Sequence, residues 1–418
     1  MVYKIIGVMT GNSNDAMDLV LTEFTGDGMR DVAGCSVPYT PDFQKQMNLL
    51  RNQVCHQKKA DILALPLFQE VHQIYITLLA RAVLDFLKQE KLTPKEIDAI
   101  GFHGKTLDHY PPSQAKKNGD TPYTLQMGSG QKLADLTGIP VVYDFRSDPV
   151  QAGLEGAPLI PLHNLHIAAT EGEGCYFNGG NTANFTWIQE GKILAASDTG
   201  PFNAYVDAFV QNAGQGGFDK DGALGKKGTV QTRLLPDLFG ADKSFYTAPV
   251  PKSGDPQYYH QDKVFRILQK VKFHDAVRTL EYLAAYTAFY GLTFMPGKGP
   301  LAGHFHLFGG GWKNPLVKKD FAGFLTGKNA PLPGHEQTVN SFLSRLQDVK
   351  VSYSELGTFM EARLMADMAY FFLEKKPWTF GDGAGREKQI ICGRCAHPGQ
   401  KSENDAVNRA AKGWQESL

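Results

Sequence analysis

Apolar residues near the start of the chain form two runs that a short polar stretch separates. Residues 3–9 are mostly apolar, residues 10–15 are polar or small, and apolar positions return with alternation up to Phe24. This pattern predicts two strands joined by a tight turn. Two later strand-like runs, 192–196 and 304–308, also lead into turns that contain glycine. The chain therefore places a polar or glycine-rich turn at the end of each of these predicted strands.

Segments with apolar residues at helical spacing alternate with the strands. In 67–89 they recur every three or four residues, which predicts a helix that faces a core. Thr93, Pro94 and Glu96 form a capping-box pattern, which predicts a short helix. The remaining predicted helices are 131–138, 203–211, 262–290 and 356–375; the remaining strands are 98–102, 139–145, 174–177 and 185–188, with a polar loop at 104–120. This alternation predicts an α/β fold.

The first turn has residue types that can hold an anionic oxygen. It contains Thr10, Gly11, Asn12, Ser13 and Asp15. Gly11 permits a tight backbone turn, and the N–H groups and hydroxyls of such a turn can surround a phosphate oxygen. Asp15 could hold Mg²⁺ through water, because Mg²⁺ keeps much of its hydration shell. An ordinary polar hairpin tip would have a similar composition.

Two later turns repeat this combination. Asp198, Thr199 and Gly200 follow one strand, and the three glycines 309–311 follow another, where a ligand can approach the backbone closely. Two acidic hairpin turns followed by a glycine-rich turn, in this order, resemble the fingerprint of the actin, hexokinase and heat-shock chaperone ATPase superfamily. In that superfamily the nucleotide lies between two lobes.

Composition excludes several other classes of protein. The 418 residues include 43 basic and 43 acidic side chains, so no basic surplus indicates binding to nucleic acid or to an anionic membrane. No apolar run reaches the roughly 20 residues that span a bilayer. The N-terminus lacks the pattern of a signal peptide, and a cytoplasmic location is expected.

The five cysteines are odd in number and scattered, which argues against a disulfide framework. Cys392 and Cys395 form a CxxC pair with His397 nearby. A zinc site would need a fourth ligand at similar spacing, and no second CxxC pair exists. Free thiols near a late strand are the favoured interpretation.

Many short segments, collinear over almost the whole chain, resemble the anhydro-N-acetylmuramic acid kinase family of bacterial cell-wall recycling enzymes. These segments are 6–15, 99–106, 124–128, 144–146, 156–161, 178–184, 198–201, 219–222, 309–315 and 360–362. The resemblance implies an α/β, two-lobed, actin/hexokinase-like (ribonuclease H-like) fold with a nucleotide cleft between the lobes. Lobe I is expected at 1–145 with 378–418, and lobe II at 146–377. Levoglucosan kinases share much of the pattern.

The resemblance implies an ATP-dependent sugar kinase. Its substrate would be 1,6-anhydro-N-acetylmuramic acid: water opens the anhydro bridge, and O6 takes the γ-phosphoryl group of ATP, giving N-acetylmuramate 6-phosphate. The implied partners are this sugar and ATP with Mg²⁺, and homodimerisation is a family expectation. No nucleic acid or membrane partner is expected.

The same resemblance assigns roles within the turns. Asp198 would activate the attacking water, because a carboxylate can accept its proton within hydrogen-bond reach. A turn-capping aspartate is the alternative. In the first turn, the residues expected to bind ATP are Thr10, Gly11, Asn12, Ser13 and Asp15, and Asp15 would also hold Mg²⁺ through water. Thr199 and Gly200 are expected to contact the phosphate from a second side. Gly309, Gly310 and Gly311 are expected to lie beneath the adenosine.

Three residues outside the turns are expected at the sugar. Arg146 would clamp the lactyl carboxylate of a muramic sugar, because guanidinium binds carboxylates in a bidentate manner; a surface ion pair is the alternative. His103 would contact sugar hydroxyls or serve as a structural, hydrogen-bonded histidine. Glu361, on a predicted helix, is a candidate sugar ligand or a solvated charge.

Departures from the family pattern leave three hypotheses open. Ala16 and Phe202 stand where the family has glycine, Lys105 stands where it has glutamine, and 252–257 lacks its Arg and Glu. The acids and most glycines of the phosphate turns remain, so nucleotide binding is expected to be kept while sugar recognition differs. The chain is then a kinase of 1,6-anhydro-N-acetylmuramic acid, a kinase of another sugar, or a weakly catalytic sensor that binds nucleotide and sugar.

Overall fold

The computed structural model describes residues 2–400, except 12, 13, 15, 27, 55–58, 254–258, 355 and 382–386. The strands are β1 (Tyr3–Thr10), β2 (Ala16–Thr25), β3 (Gly28–Pro38), β4 (Ala99–Phe102), β5 (Lys105–Tyr110), β6 (Tyr123–Met127), β7 (Val141–Tyr143), β8 (Gly174–Gly179), β9 (Thr182–Gln189), β10 (Lys192–Pro201), β11 (Leu301–Phe308), β12 (Leu346–Tyr353), β13 (Trp378–Gly381), β14 (Glu387–Ile390) and β15 (Arg394–Ala396).

The α-helices are α1 (Pro41–Val54), α2 (Lys59–Ala64), α3 (Pro66–Gln89), α4 (Pro112–Asn118), α5 (Gly130–Thr137), α6 (Ser147–Gln151), α7 (Ile160–Glu171), α8 (Asn203–Asn212), α9 (Leu235–Ala241), α10 (Lys243–Tyr246), α11 (Gln261–Leu268), α12 (Phe273–Leu292), α13 (Pro315–Leu325), α14 (Glu336–Leu343) and α15 (Met360–Leu373). The predicted helices 67–89, 131–138, 203–211, 262–290 and 356–375 are confirmed as α3, α5, α8, α11 with α12, and α15. The capping box of Thr93 and Glu96 is present, but it starts only a three-residue 3₁₀ helix, Pro94–Glu96.

The described residues divide into two compact units, and the chain passes between them twice. Unit 1 contains the described residues up to 163 and from 359 onward, and unit 2 contains those in 164–358. The crossings expected from the sequence, after 145 and after 377, differ from these. The physical reason is that α6 and α15 both pack with strands of unit 1, which keeps them in that unit.

Unit 1 is built on a six-stranded sheet with the order β15-β7-β4-β1-β2-β3. Strands β1 to β3 form an antiparallel meander, β4 and β7 run parallel to β1, and β15 returns antiparallel to β7. Ile6 and Val8 of β1 pack with α3 and α5 on one face, whereas Ile5 packs with α15 on the other. The hairpin predicted at the start of the chain is confirmed, with Thr10 and Met17 paired beside its turn.

Unit 2 repeats this plan. Its five-stranded sheet has the order β10-β9-β8-β11-β12, with β8 to β10 as an antiparallel meander and β11 and β12 parallel to β8. This corresponds strand for strand to β3-β2-β1-β4-β7 of unit 1. A sheet of this order in each unit is the ribonuclease H-like plan of the actin and hexokinase class, so the expected α/β fold class is confirmed.

The prediction of a polar loop at 104–120 is wrong. This segment contains β5, which pairs antiparallel with β6, and the helix α4. Positions 106–110 of β5 are mostly polar and only half-buried, so the run lacks the apolar alternation from which a strand is recognised. Pairing with β6, including a hydrogen bond that the Tyr123 hydroxyl donates to Asp108, makes this segment a strand.

Two glycines allow α15 to lie directly on the sheet of unit 1. A Cβ on Gly7 of β1 would overlap the carbonyl oxygen of Ala362, and a Cβ on Gly101 of β4 would overlap that of Met365. Both obstacles are helix backbone, which cannot rotate away as a side chain can. The sequence Met360-Glu-Ala362 is therefore held against the strands by the absence of side chains opposite it.

Gly101→Ala is expected to lower the free energy of unfolding by at least about 2 kcal/mol, because overpacking against fixed backbone forces the helix off the sheet. Urea denaturation would measure this change. The control is Gly240→Ala in α9, where a Cβ would meet no atom within 4 Å and alanine favours a helix by up to about 1 kcal/mol. Equal effects of the two substitutions would contradict the close approach of α15.

Candidate active site

The first turn is fixed where β1 enters it. Thr10 is buried, and its Oγ1 lies 2.8 Å from the hydroxyl of Tyr39 and 3.0 Å from that of Tyr75. The Gly11 carbonyl accepts a hydrogen bond from Nζ of Lys105 at 2.7 Å. Buried side chains that are distant in sequence thus hold the backbone beside the expected phosphate position.

Three residues of this turn, Asn12, Ser13 and Asp15, lie outside the described residues. Their expected contacts with the γ-phosphate, and that of Asp15 with Mg²⁺, stay predictions from the sequence. Thr10 and Gly11 are placed at the tip of the hairpin, as the sequence predicted.

Arg146 and His103 form a tightly connected pair in unit 1. Nε of Arg146 donates to Nε2 of His103 at 2.7 Å, and Nδ1 of His103 lies 2.7 Å from the Gly104 carbonyl. The carbonyl requires a proton on Nδ1, so Nε2 is the acceptor for arginine. Burial and the nearby charge of Arg146 lower the pKa of His103 to about 3, which keeps the ring neutral. Nδ1 therefore fixes the His103 ring to the backbone, and Nε2 orients Arg146.

Arg146 keeps part of its guanidinium for another group. Its Nη1 donates to the Gly156 carbonyl at 2.7 Å, and within the described part of the chain Nη2 forms no hydrogen bond. Burial lowers the pKa of Arg146 to about 10, so the side chain stays charged at neutral pH. A fixed and charged guanidinium with one free edge suits an anionic group.

Glu361 begins α15 and shares this region of unit 1. Its side chain is accessible to solvent, yet the protein atoms around it raise its pKa by desolvation, and the nearby Asp18 adds to this effect. The charges of Arg146 and Lys105 act in the opposite direction. An accessible carboxylate facing two cations can accept hydrogen bonds from sugar hydroxyls.

A small cavity of about 30 Å³ lies beside His103. Its lining comes from three segments that carry the family resemblance and includes His103, Thr124, Gln126, Gly128 and Asp144. A space of this size holds one or two waters rather than a sugar ring. The family segments therefore converge on a polar pocket in unit 1 that adjoins the Arg146 pair.

The prediction of a turn at Asp198 is wrong: Asp198, Thr199 and Gly200 lie inside the edge strand β10, which continues to Pro201, and the name Asp198 turn is kept for this bulged end of the strand. The register between β10 and β9 shifts between Asp198 and Gly200, which marks a bulge. The Thr199 hydroxyl donates to the Ala183 carbonyl at 3.3 Å. Gly200 has φ +131°, and a Cβ there would lie 2.6 Å from the ring of Tyr246. The bulge thus fixes the turn that carries the proposed catalytic carboxylate.

The glycine-rich turn follows β11 in the same unit. Gly309 has φ +94°, a conformation that favours glycine. A Cβ on Gly310 would meet no atom within 4 Å, so this position is open to a ligand. Trp312 donates from Nε1 to the Phe177 carbonyl at 3.0 Å and anchors the turn.

Two departures from the family pattern are accommodated without backbone strain. Phe202 has φ −116°, not the positive φ that favours glycine, and Ala16 begins the extended strand β2. The Phe202 ring is buried with its centroid 4.6 Å from that of Trp312, and a Cβ on Gly311 would lie 2.6 Å from it. Phe202 therefore fills the space beneath the glycine-rich turn.

The segment 219–222 stabilises the residues beside the glycine-rich turn. Asp219 accepts hydrogen bonds at 2.8 Å from the backbone N–H groups of Leu224 and Gly225. The fully buried Glu281 lies beside this carboxyl group and accepts at 2.6 Å from Asn314, which caps α13. Burial, reinforced by Asp219, raises the pKa of Glu281 to about 8, so Glu281 is largely protonated at neutral pH.

The most informative residues that the sequence did not reveal are Glu281, Tyr39, Tyr75 and Lys252. Glu281 and the tyrosines lie on segments whose patterns predict ordinary helices or loops. The sequence contained no signal for them, because their partners are between 29 and 65 residues away. Lys252 did belong to a segment that departs from the family pattern.

The described cysteines Cys35, Cys175, Cys392 and Cys395 are free, and Cys395 belongs to the late strand β15. Burial raises the pKa of both Cys392 and Cys395, which disfavours thiolate chemistry. The described residues contain no group of three or more His, Cys, Asp or Glu arranged to hold a metal ion. Among them there is also no helix both long and apolar enough to cross a membrane.

The sequence of the chain is similar to that of a family of kinases. A family model described as anhydro-N-acetylmuramic acid kinase matches residues 3–395. Proteins named anhydro-N-acetylmuramic acid kinase include one from Idiomarina loihiensis, 29% identical over 94% of this chain and 98% of that protein, and one from Agrobacterium fabrum with the same identity and coverage. A third, from Vibrio parahaemolyticus, is 33% identical over 77% of this chain and 83% of its own length.

Glu281→Gln is expected to reduce the loss of stability between about pH 4.5 and pH 8. The folded protein keeps the Glu281 proton up to about pH 8, whereas an unfolded glutamate releases it near pH 4.3. The wild-type protein therefore loses stability as the pH rises through this window, and glutamine removes that dependence while keeping a hydrogen-bond donor. Urea unfolding at pH 5 and pH 8 should show that the free energy of unfolding falls by roughly 2 kcal/mol less in Glu281→Gln than in the wild-type protein.

The control for this experiment is Glu336→Gln, which changes an exposed acid at the start of α14. It should leave the difference between the two pH values unchanged. An unaltered pH dependence in Glu281→Gln would show that Glu281 is not protonated in the folded protein.

Proposed function

This chain belongs to the anhydro-N-acetylmuramic acid kinase family, and from this premise we propose that it phosphorylates 1,6-anhydro-N-acetylmuramic acid with ATP. The product is N-acetylmuramate 6-phosphate, and the reaction serves the cytoplasmic recycling of cell-wall sugars. The observation that carries the proposal is the Asp198 turn, which presents a carboxylate at a bulge in the same unit as an open glycine-rich turn.

Asp198 acts as the general base in this proposal. Its carboxylate accepts a proton from water while the water oxygen bonds to the anomeric carbon. The bond between that carbon and O6 breaks, and O6 attacks the γ-phosphorus of ATP, from which ADP leaves. Positioning and charge neutralisation account for most of the catalysis of phosphoryl transfer, and the backbone of the first turn and of the Asp198 turn would provide them.

The nucleotide would use all three turns. Thr10, Gly11 and the sequence-predicted Asn12, Ser13 and Asp15 would surround the γ-phosphate, with Mg²⁺ held by Asp15 through water. Thr199 and Gly200 contribute the second side. Gly309, Gly310 and Gly311 would lie beneath the adenosine, and the open surface at Gly310 supports this assignment.

The sugar would be recognised in unit 1. Arg146 would bind the lactyl carboxylate with the free edge of its guanidinium, Glu361 would accept from hydroxyls, and His103 would act by orienting Arg146. Lys105 favours a second candidate, a kinase of a different sugar, because it brings an ammonium group to the Gly11 carbonyl at a position where the family pattern has neutral glutamine.

The wild-type protein is expected to release ADP from Mg²⁺-ATP when 1,6-anhydro-N-acetylmuramic acid is present. Asp198→Asn is expected to abolish this turnover, while its affinity for ADP stays within about twofold of the wild-type value. An amide cannot take the proton from water, but it leaves the turn intact. A coupled assay of ADP release and calorimetry with ADP measure the two quantities. The control is Asp237→Asn, an exposed acid of α9.

The same assay separates the alternatives. Turnover only with levoglucosan, 1,6-anhydro-N-acetylglucosamine or a plain N-acetyl sugar would replace the muramyl substrate with another sugar. ADP binding without turnover of any of these sugars would favour a sensor. Normal turnover in Asp198→Asn would remove Asp198 from the mechanism.

Arg146→Lys is expected to raise the KM for 1,6-anhydro-N-acetylmuramic acid at least about tenfold, because lysine keeps the charge but loses the planar fork that binds carboxylate. The KM for 1,6-anhydro-N-acetylglucosamine, which lacks the lactyl group, should change less than about twofold. Steady-state kinetics with both sugars provide the comparison, and the exposed Arg81→Lys in α3 is the control. Equal changes for both sugars would mean that Arg146 does not read the lactyl carboxylate.

A further inference from the structure

Lys252 extends the edge of the sheet at Asp198. Strand β10 is the edge strand of unit 2, so the outward backbone groups of this strand lack a neighbouring strand there. The Asp198 N–H donates to the Lys252 carbonyl at 2.9 Å. The Lys252 N–H in turn donates to Oγ of Ser197 at 3.0 Å. One residue therefore replaces the missing strand at the position of the proposed general base.

The side chain of Lys252 anchors this residue to a helix. Its Nζ donates to the carbonyls of Phe245 and Tyr246 at 2.9 Å and of Ala248 at 3.2 Å. The first two belong to α10, and carbonyl oxygens at the end of a helix favour a cation. Nζ also lies 5.1 Å and 5.3 Å from the ring centroids of Phe245 and Phe294. The backbone and the ammonium of Lys252 thus join β10 to α10.

These contacts give Lys252 no direct part in proton transfer. An ammonium group has three protons, and three carbonyl oxygens accept them. Burial lowers the pKa of Lys252 to about 8, while the charge of Asp198 counteracts this shift. Asp198 is the charged group that acts on Lys252 among the described residues, so a positive charge lies close to the proposed general base.

We propose that Lys252 is the positioning residue of Asp198, holding the backbone of this residue and keeping a positive charge beside it for general-base catalysis. The proposal rests on the proposed function of Asp198. This role is more than structural support, because Lys252 contacts the backbone amide of Asp198, the proposed general base itself. A general base works only within hydrogen-bond reach of its water, and a displacement of about 1 Å can cost about 100-fold in rate.

The test compares Lys252→Met with Lys252→Arg. Methionine has a similar length but cannot bind the carbonyls, so kcat is expected to fall about 10- to 100-fold while the KM for ATP and the affinity for ADP stay within about twofold. Arginine keeps the charge and should restore a large part of kcat. The acid limb of the pH profile of kcat should move upward by roughly half a pH unit or more in the methionine variant only.

The matched control is Lys263→Met. Lys263 also donates from Nζ to a helix carbonyl, that of Gly240 at 3.3 Å, but it is exposed. Its replacement should leave kcat and the pH profile unchanged. A normal kcat in Lys252→Met, or an equal fall of kcat in Lys252→Met and Lys252→Arg without a shift of the acid limb, would overturn the proposal.

A second variant keeps the proposal testable if Lys252→Met does not fold. Ser197→Ala removes the acceptor of the Lys252 N–H without removing a buried charge. Like Lys252→Met, it should lower kcat. If the wild-type protein turns over no sugar of the panel, the proposed function fails on its own. Hydrogen exchange of the Asp198 amide then decides the positioning: faster exchange in Ser197→Ala supports it, and unchanged exchange rejects it.

Discussion

The contact of α15 with the sheet of unit 1 is the constraint on which that unit depends. The helix lies so close to β1 and β4 that Gly7 and Gly101 have no space for a side chain. This approach brings Glu361, the first acid of α15, to the region of Arg146 and Lys105. The same strand β1 continues into the first turn, so the packing of one helix sets the position of both the expected sugar ligand and the phosphate hairpin.

Buried ionisable groups hold the turns in place. Lys105 and Lys252 each donate to backbone carbonyls beside a turn, and the largely protonated Glu281 lies beside Asp219 near the glycine-rich turn. Burying such groups is costly unless they are hydrogen-bonded. The hydrogen bonds of these groups offset this cost, and they leave the turn backbone with few alternative conformations. A fixed backbone suits sites that must present N–H groups and carboxylates in a defined geometry.

The sequence predicted the elements that depend on local patterns. The first hairpin followed from two apolar runs and a polar turn, and the end of α5 followed from the glycine at position 138, which takes φ +72°. Strand β5 was missed because its stability comes from pairing with β6 rather than from an apolar face. The role of Lys252 was equally hidden, since its carbonyl meets an amide 54 positions earlier, and sequence spacing does not reveal such a contact.

Phe202 has a consequence for how sequences of this kind can diverge. Its ring occupies the space that a Cβ on Gly311 or on Gly179 would need. Oδ1 of Asn203 lies equally close to a Cβ on Gly311, and the ring of Trp312 to a Cβ on Gly179, so a side chain at either glycine would collide with two neighbours at once. Packing alone therefore demands glycine at both positions, whichever ligand the adjacent turn binds.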